Sequence, residues 1–192
     1  MIVVHHTAVS RKDAPIQFFA VNRYHRSDPN VYLGQDSTLG YAGGYHVFIE
    51  PDGTELRYRE DWEEGAHTKG HNLDSLGVCL AMDGDREFPT DAQVKTLKER
   101  LRKWCAGYQI PAAKIYPHRA FSAKSCYGYM LADDWARKLA EPPPPPPDPD
   151  ARKRAEIASL QQRLIDLVRQ LILLLKIRYG LASARKKEPG VG

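Results

Sequence analysis

Ile2-Val3-Val4-His5-His6-Thr7-Ala8 opens the chain, and this stretch decides how the rest is read. Three apolar residues, all of them β-branched, run directly into two histidines, the pattern of a short buried strand that ends in chemistry. Side chains on a strand alternate between its faces, so His5 and His6 cannot both reach one point from a regular strand. One of them is a candidate ligand and the other faces away.

Tyr45 to Ile49 and Glu55 to Arg59 read as two strands joined at Pro51-Asp52-Gly53, a hairpin signal. Leu76 to Met82 is apolar enough to be a central strand, and Lys114 to Pro117 is a short one that delivers His118. Residues 14 to 26 place Ile16, Phe19 and Tyr24 at helical spacing and stop at Asp28-Pro29-Asn30. Thr90 is the expected cap of a helix carrying Val94, Leu97, Leu101 and Trp104 on one face and closing at Gly107. Trp135 and Leu139 belong to one more helix. These elements imply an α/β fold, a mixed central β-sheet flanked by helices.

The 192 residues suit one domain plus an appendage. Pro142 to Pro147 are six consecutive prolines, followed by Asp148-Pro149-Asp150, and lack the amide hydrogens that helices and sheets require. An extended spacer is expected there, with a proline-rich recognition segment as the alternative. The division is therefore 1–141, a catalytic domain; 142–150, a proline-rich linker; and 151–192, a helical tail. Charge divides at the same place: residues 1–141 hold 18 Lys and Arg against 19 Asp and Glu, whereas 142–192 hold 10 against 5. The basic balance belongs to the tail, and no nucleic-acid partner is expected.

Cys79, Cys105 and Cys126 form no disulfide framework, which suits synthesis in a reducing compartment. Cys79 and Cys105 read as small buried hydrophobes. Cys126 differs, because His118 lies eight residues before it with Lys124 between them. Two imidazoles and a thiolate make a three-ligand zinc set, and three protein ligands leave a position open for water. Lys124 would bring a cation to that position, where it could stabilise an oxyanion.

The order Ile2 to Ala8, Gly44-Tyr45-His46-Val47-Phe48-Ile49, Gly65-Ala66-His67-Thr68-Lys69-Gly70-His71-Asn72, then His118 and Ser122-Ala123-Lys124-Ser125-Cys126, resembles the zinc-dependent N-acetylmuramoyl-L-alanine amidases of the phage-lysozyme and peptidoglycan-recognition-protein superfamily. The resemblance covers roughly residues 1 to 140 and agrees with the mixed sheet. It places the first metal ligand at His5, so the implied Zn2+ ligands are His5, His118 and Cys126. It also matches Tyr45 to a tyrosine beside the metal water, giving Tyr45 and Lys124 as catalytic candidates. His67 and Asn72 match positions where the family contacts muramyl-peptide. Cys79 stands where recycling relatives carry a glutamate, which points to the phage-type variant, and Tyr127 replaces a usual proline.

The implied activity is hydrolysis of the bond between N-acetylmuramic acid and L-alanine in peptidoglycan by an endolysin made in the cytoplasm without a signal peptide. It would act on the wall after release. Alternatives are a cytoplasmic muropeptide-recycling amidase and a non-catalytic peptidoglycan-binding module, whose members usually lack the ligand cysteine. In the tail, Ile157, Leu160, Leu164, Leu167, Leu171, Leu174 and Leu181 form an apolar stripe whose longest unbroken run, Leu171 to Leu175, is too short to cross a membrane. Such an amphipathic helix must bury its stripe in self-association, in an anionic membrane surface flanked by Arg152-Lys153-Arg154 and Arg185-Lys186-Lys187, or on its own domain.

Overall fold

A computed structural model describes residues 1–32, 34–142 and 148–179. The chain divides into two compact units, Met1–Pro142 and Pro143–Gly192. Five strands of the first unit make one sheet: β1 (Ile2–His6), β2 (Val47–Ile49), β3 (Glu55–Arg57), β4 (Leu76–Leu80) and β5 (Ile115–Pro117), in the order β3-β2-β4-β1-β5. β1 pairs in parallel with both β4 and β5, β2 pairs in parallel with β4, and β2 and β3 form the antiparallel hairpin. The sheet is mixed, as the sequence implies. The strands are shorter than expected at several ends: β2 begins at Val47, β3 stops at Arg57 and β4 stops at Leu80.

Alternation along these strands divides the unit into two layers. Ile2, Val4, Val47, Ile49, Val78, Leu80 and Ile115 point to one face, where Leu97, Leu101 and Trp104 of α2 (Asp91–Gly107) and Ala136 of α3 (Trp135–Ala140) cover them. Burying each such aliphatic side chain contributes about 1.5–3 kcal/mol. Phe48 and Cys79 face the other way, into a smaller cluster with Phe18 and Tyr58. His5 pairs in register with Cys79, so it shares this second face.

Thr90 caps α2 in a reciprocal box: its hydroxyl accepts from the Gln93 amide at 3.0 Å, and Gln93 Oε1 accepts from the Thr90 amide at 3.1 Å. Gln93 is fully buried. Its Nε2 donates to the carbonyls of Ile49 and Ala81, each at 3.2 Å, which fastens the helix start to the ends of β2 and β4. Of the expected α2 face, Leu97, Leu101 and Trp104 are buried and Val94 only partly so.

The first helix corrects the sequence reading. α1 spans Phe18–Ser27, and Phe18 and His25 are its buried residues. Ile16, Phe19 and Tyr24, the expected apolar set, are largely exposed. The reason is tertiary: the Phe18 ring stacks on Tyr58 at 4.2 Å, and His25 Nδ1 accepts from the Gly44 amide at 2.9 Å. Those contacts fix the helix's rotation with Phe19 and Tyr24 turned outward. Glu50, buried just after β2, anchors the helix start, its carboxylate accepting from the amides of Gln17 (2.9 Å) and Phe18 (2.8 Å). These are orphan donors of a helix's first turn.

In the second unit, α4 (Ala151–Arg178) is a single helix with every residue exposed. Among the described residues, no helix is long and apolar enough to cross a membrane. Most of the proline run, Leu181 and Arg185-Lys186-Lys187 lie outside the described residues.

Glu50→Ala should lower the urea unfolding midpoint by the equivalent of about 2–4 kcal/mol at unchanged slope, since it leaves two buried amides without an acceptor. Glu50→Gln, whose amide oxygen still accepts, should recover part of the loss. An unchanged midpoint for Glu50→Ala would show that α1 is held by its aromatic contacts alone.

Candidate metal centre and its cleft

β1 and β5 lie side by side with Pro117 opposite Val4, so His5, next on β1, and His118, which opens the short 3-10 turn after β5, emerge at the same end of the sheet. Their ring centroids stand 4.5 Å apart. The loop after His118 returns Cys126 to the same point, with Sγ 3.7 Å from His5 Nδ1. One ligand atom from each of His5, His118 and Cys126 lies within 4.8 Å of the others, and this group can hold a metal ion. Its donors, two imidazole nitrogens and one sulfur, match what zinc prefers. The neighbouring His6 points away, its Nδ1 accepting from the Gly84 amide at 2.8 Å, as strand alternation requires.

Burial sets the protonation of the three. It drives the His5 imidazole well below its ordinary range, helped by the nearby His67 and His118. His118 is lowered by burial and then by the charge of Lys124. Both rings are neutral, as metal ligation needs. Burial pushes the Cys126 thiol up to about 12, against opposing pulls from the His6 backbone amide, Lys124 and Arg119. Without an ion, the sulfur therefore keeps its proton.

The loop carrying Cys126 is held by Tyr127, which the sequence marks only as a departure from a usual proline, and by Arg119 and Asp85, which it gives no reason to single out. Arg119 donates to the carbonyls of Gly128 (2.5 Å) and Leu131 (2.7 Å), and through Nε to Asp133 (2.6 Å). Asp85 accepts from the Ser125 hydroxyl at 2.6 Å and from the Tyr129 amide at 2.8 Å. Tyr127 is wholly buried, its hydroxyl donating toward the carbonyls of Ala132 and Asp133. Only the adjacency of Arg119 to His118 could have drawn attention to this staple.

Around the three residues lies a cleft of about 560 Å3, walled on one side by Val21, Tyr24 and His25 of α1 and floored by Tyr45 and His67. Lys124 lies on its exposed rim. The Tyr45 ring stands 5.0 Å from His5. Burial, with the Cys79 and Cys126 thiols nearby, raises its hydroxyl well above the usual tyrosine range, so it remains an O–H donor at neutral pH.

His67 and Asn72 separate. His67 is buried beneath His5, and with His5 Nδ1 turned to the thiol, His5 Nε2–H is the donor to His67 Nδ1 at 3.1 Å. The ring fits only because Gly65 and Gly77 flank it. A Cβ on either would come within 2.6 Å of His67 Cδ2. Burial and the adjacent His46 push His67 down to about 3, so it is neutral and can accept. Asn72 lies outside the cleft lining, and its Oδ1 accepts from the amides of His67 (3.0 Å) and Thr68 (2.8 Å). It shapes the turn that carries His67.

This arrangement has relatives. The profile of the N-acetylmuramoyl-L-alanine amidase family, Amidase_2, matches residues 1–129. The endolysin of Escherichia phage T7 is 33% identical over 99 residues, covering 49% of this chain and 64% of that protein. The chain thus spans less than two thirds of the length of that curated relative. Among solved structures, the amidase LysC from Clostridium intestinale URNW matches at 25% identity with a TM-score of 0.56, covering 68% of this chain and 77% of its own. Drosophila peptidoglycan recognition protein SD, at 21% identity and a TM-score of 0.57 over 73% of this chain and 79% of its own, shares the fold. With two thirds of its length under the family profile, and the two histidines and cysteine converging in one cleft, the chain belongs to the N-acetylmuramoyl-L-alanine amidase family.

Proposed function

We propose that this chain hydrolyses the amide between the lactyl group of N-acetylmuramic acid and L-alanine in peptidoglycan, as a zinc-dependent endolysin of the phage type that acts on the wall after release from the cytoplasm. The observation that carries the reading is the convergence of His5, His118 and Cys126 at one end of a cleft that also presents Tyr45 and Lys124. The endolysin relatives of phages T7 and T3, at 33% and 32% identity, support the phage-type assignment.

His5, His118 and Cys126 are the proposed zinc ligands. When bound there, zinc supplies Lewis acidity toward a carbonyl oxygen and the means to ionise water near neutral pH. The remaining chemistry belongs to the chain. Hydrolysis adds water to the carbonyl carbon, breaks the carbon–nitrogen bond and leaves a free amino group on L-alanine. Tyr45, kept protonated, offers a hydrogen bond to oxygen as negative charge gathers on it. Lys124 brings a positive charge to the rim where that charge develops, and its field already reaches both His118 and Cys126. The α1 wall and the buried floor limit water around the Tyr45 hydroxyl, which strengthens its hydrogen bond, whereas Lys124 acts from the exposed rim. His67 acts through His5, fixing the ring's tautomer and direction, and Asn72 acts through His67. Direct contact of either with muramyl-peptide is then limited to the His67 edge that lines the floor.

Digestion of purified sacculi tests the activity: new free L-alanine amino groups without new reducing sugars are expected, and reducing sugars would assign a glycosidase instead. Zinc uptake at pH 7, above the range to which burial lowers both imidazoles, should release about one proton per ion from the Cys126 thiol, which ligation must displace. In Cys126→Ser that proton should vanish along with tight binding, as followed by a pH indicator in weak buffer. Lys124→Ala should keep zinc yet lose roughly two to three orders of magnitude in rate, the scale of one oxyanion donor. His67→Ala should weaken zinc affinity by roughly 10–100-fold against a competing chelator, with partial rescue by His67→Gln. Unaltered affinity in His67→Ala would return that residue to the substrate side.

A further inference from the structure

The second unit carries a surface that the amidase chemistry does not use. Along α4, Leu164, Leu167, Leu171 and Leu174 are 56–63% exposed, and their apolar neighbours 43–71%. At 100° per residue, Leu160, Leu164, Leu167, Val168, Leu171 and Leu175 fall on one side, and Ile165 and Ile172 extend it to an arc of roughly 180°. The opposite side carries Arg163, Arg169 and Lys176, with Gln162, Asp166 and Gln170 between them and Leu173 and Ile177 interrupting it, while the terminal Lys153, Arg154 and Arg178 fall on the leucine side. The helix as a whole has seven basic and two acidic residues, a net +5.

Two features decide what covers the apolar side. A two-stranded coiled coil would bury the seam of Ile157, Leu160, Leu164, Leu167, Leu171 and Leu174, and would leave Ile165, Val168, Ile172 and Leu175 in water. The positions flanking that seam, where coiled coils place complementary charges, hold Glu156, Gln161, Arg163, Val168, Gln170, Leu175 and Ile177. In a parallel pair Glu156 would face Gln161 and Arg163 would face Val168, so neither charge meets an opposite partner. A bilayer surface suits both features. A broad apolar face sinks to the acyl boundary, and a cationic polar face meets anionic headgroups. No helix among the described residues is long and apolar enough to cross, so the fitting placement is parallel to the surface.

We propose that α4 is an interfacial helix that docks the chain on a bilayer bearing anionic lipid headgroups, its leucine face in the acyl boundary and Arg163, Arg169 and Lys176 among the headgroups. This goes beyond the amidase reading and stands without it. The test is co-sedimentation of the full chain with vesicles of phosphatidylethanolamine and phosphatidylglycerol, against vesicles of phosphatidylcholine alone. Partition onto the anionic vesicles should be strong and should weaken as salt rises. Arg163→Gln with Arg169→Gln should reduce it by roughly 30-fold, about fivefold per charge at ~1 kcal/mol each. Leu167→Glu with Leu171→Glu should abolish it, with circular dichroism checking that helix content is kept. All four side chains are exposed, so neither pair removes a packing contact, and Arg169→Gln gives up only a surface ion pair with Asp166 at 3.8 Å. Equal partition onto neutral vesicles, or unchanged partition of the leucine variant, would overturn the proposal. So would a salt-insensitive oligomer that ignores vesicles, which would give the leucine face to a second copy.

Discussion

The parallel pairing of β1 between β4 and β5 is the constraint on which the rest of this molecule depends. A strand hydrogen-bonded on both sides has no freedom of register, and a slip of one residue would exchange its two faces. Ile2 and Val4 would then leave the α2 core, and His6 would replace His5 in the cleft. Burial of the aliphatic face therefore does chemical work, because the energy that holds Val4 in the core is what holds His5 out of it.

Around that strand the site is built in shells of decreasing rigidity. His5 lies on β1 and His118 directly follows the paired β5, so their separation follows largely from sheet geometry. Cys126 comes from a loop, and the Arg119 guanidinium supplies the order a loop lacks by gathering the carbonyls of Gly128 and Leu131. Charge-assisted hydrogen bonds of this kind are stronger than neutral ones and suit a position where the backbone has no ladder. Beneath His5, two glycines make room for His67. The same burial that costs solvation keeps both imidazoles neutral, and so makes them usable as ligand and acceptor.

Burial acts on the two polar hydroxyl and thiol groups of the cleft in opposite functional senses. It raises Tyr45 and so preserves a proton that is useful as a hydrogen-bond donor. It raises Cys126 and so opposes the thiolate, a cost that only a bound cation can offset. Cys79, buried on the same face, lacks such a cation and stays a neutral packing residue.

Much of this was legible in the sequence. Local signals carried the strands, the Pro51-Asp52-Gly53 hairpin and the Thr90 cap, because each depends on residues a few positions apart. Alternation separated His5 from His6, and the resemblance to the amidase family chose between them. What only the tertiary structure decided depends on contacts between residues distant in the chain. The rotation of α1 was set by Phe18 on Tyr58 and by His25 on the Gly44 amide, against the helical spacing of Ile16, Phe19 and Tyr24. Glu50 reached the start of α1 across 33 residues, and Gln93 joined α2 to two strand ends. His67 and Asn72, close together in the sequence, were given different tasks, one beneath His5 and one inside its own turn. A sequence shows which side chains a short segment can present, whereas the partner each one finds is fixed by how the sheet and its covering helices close on one another.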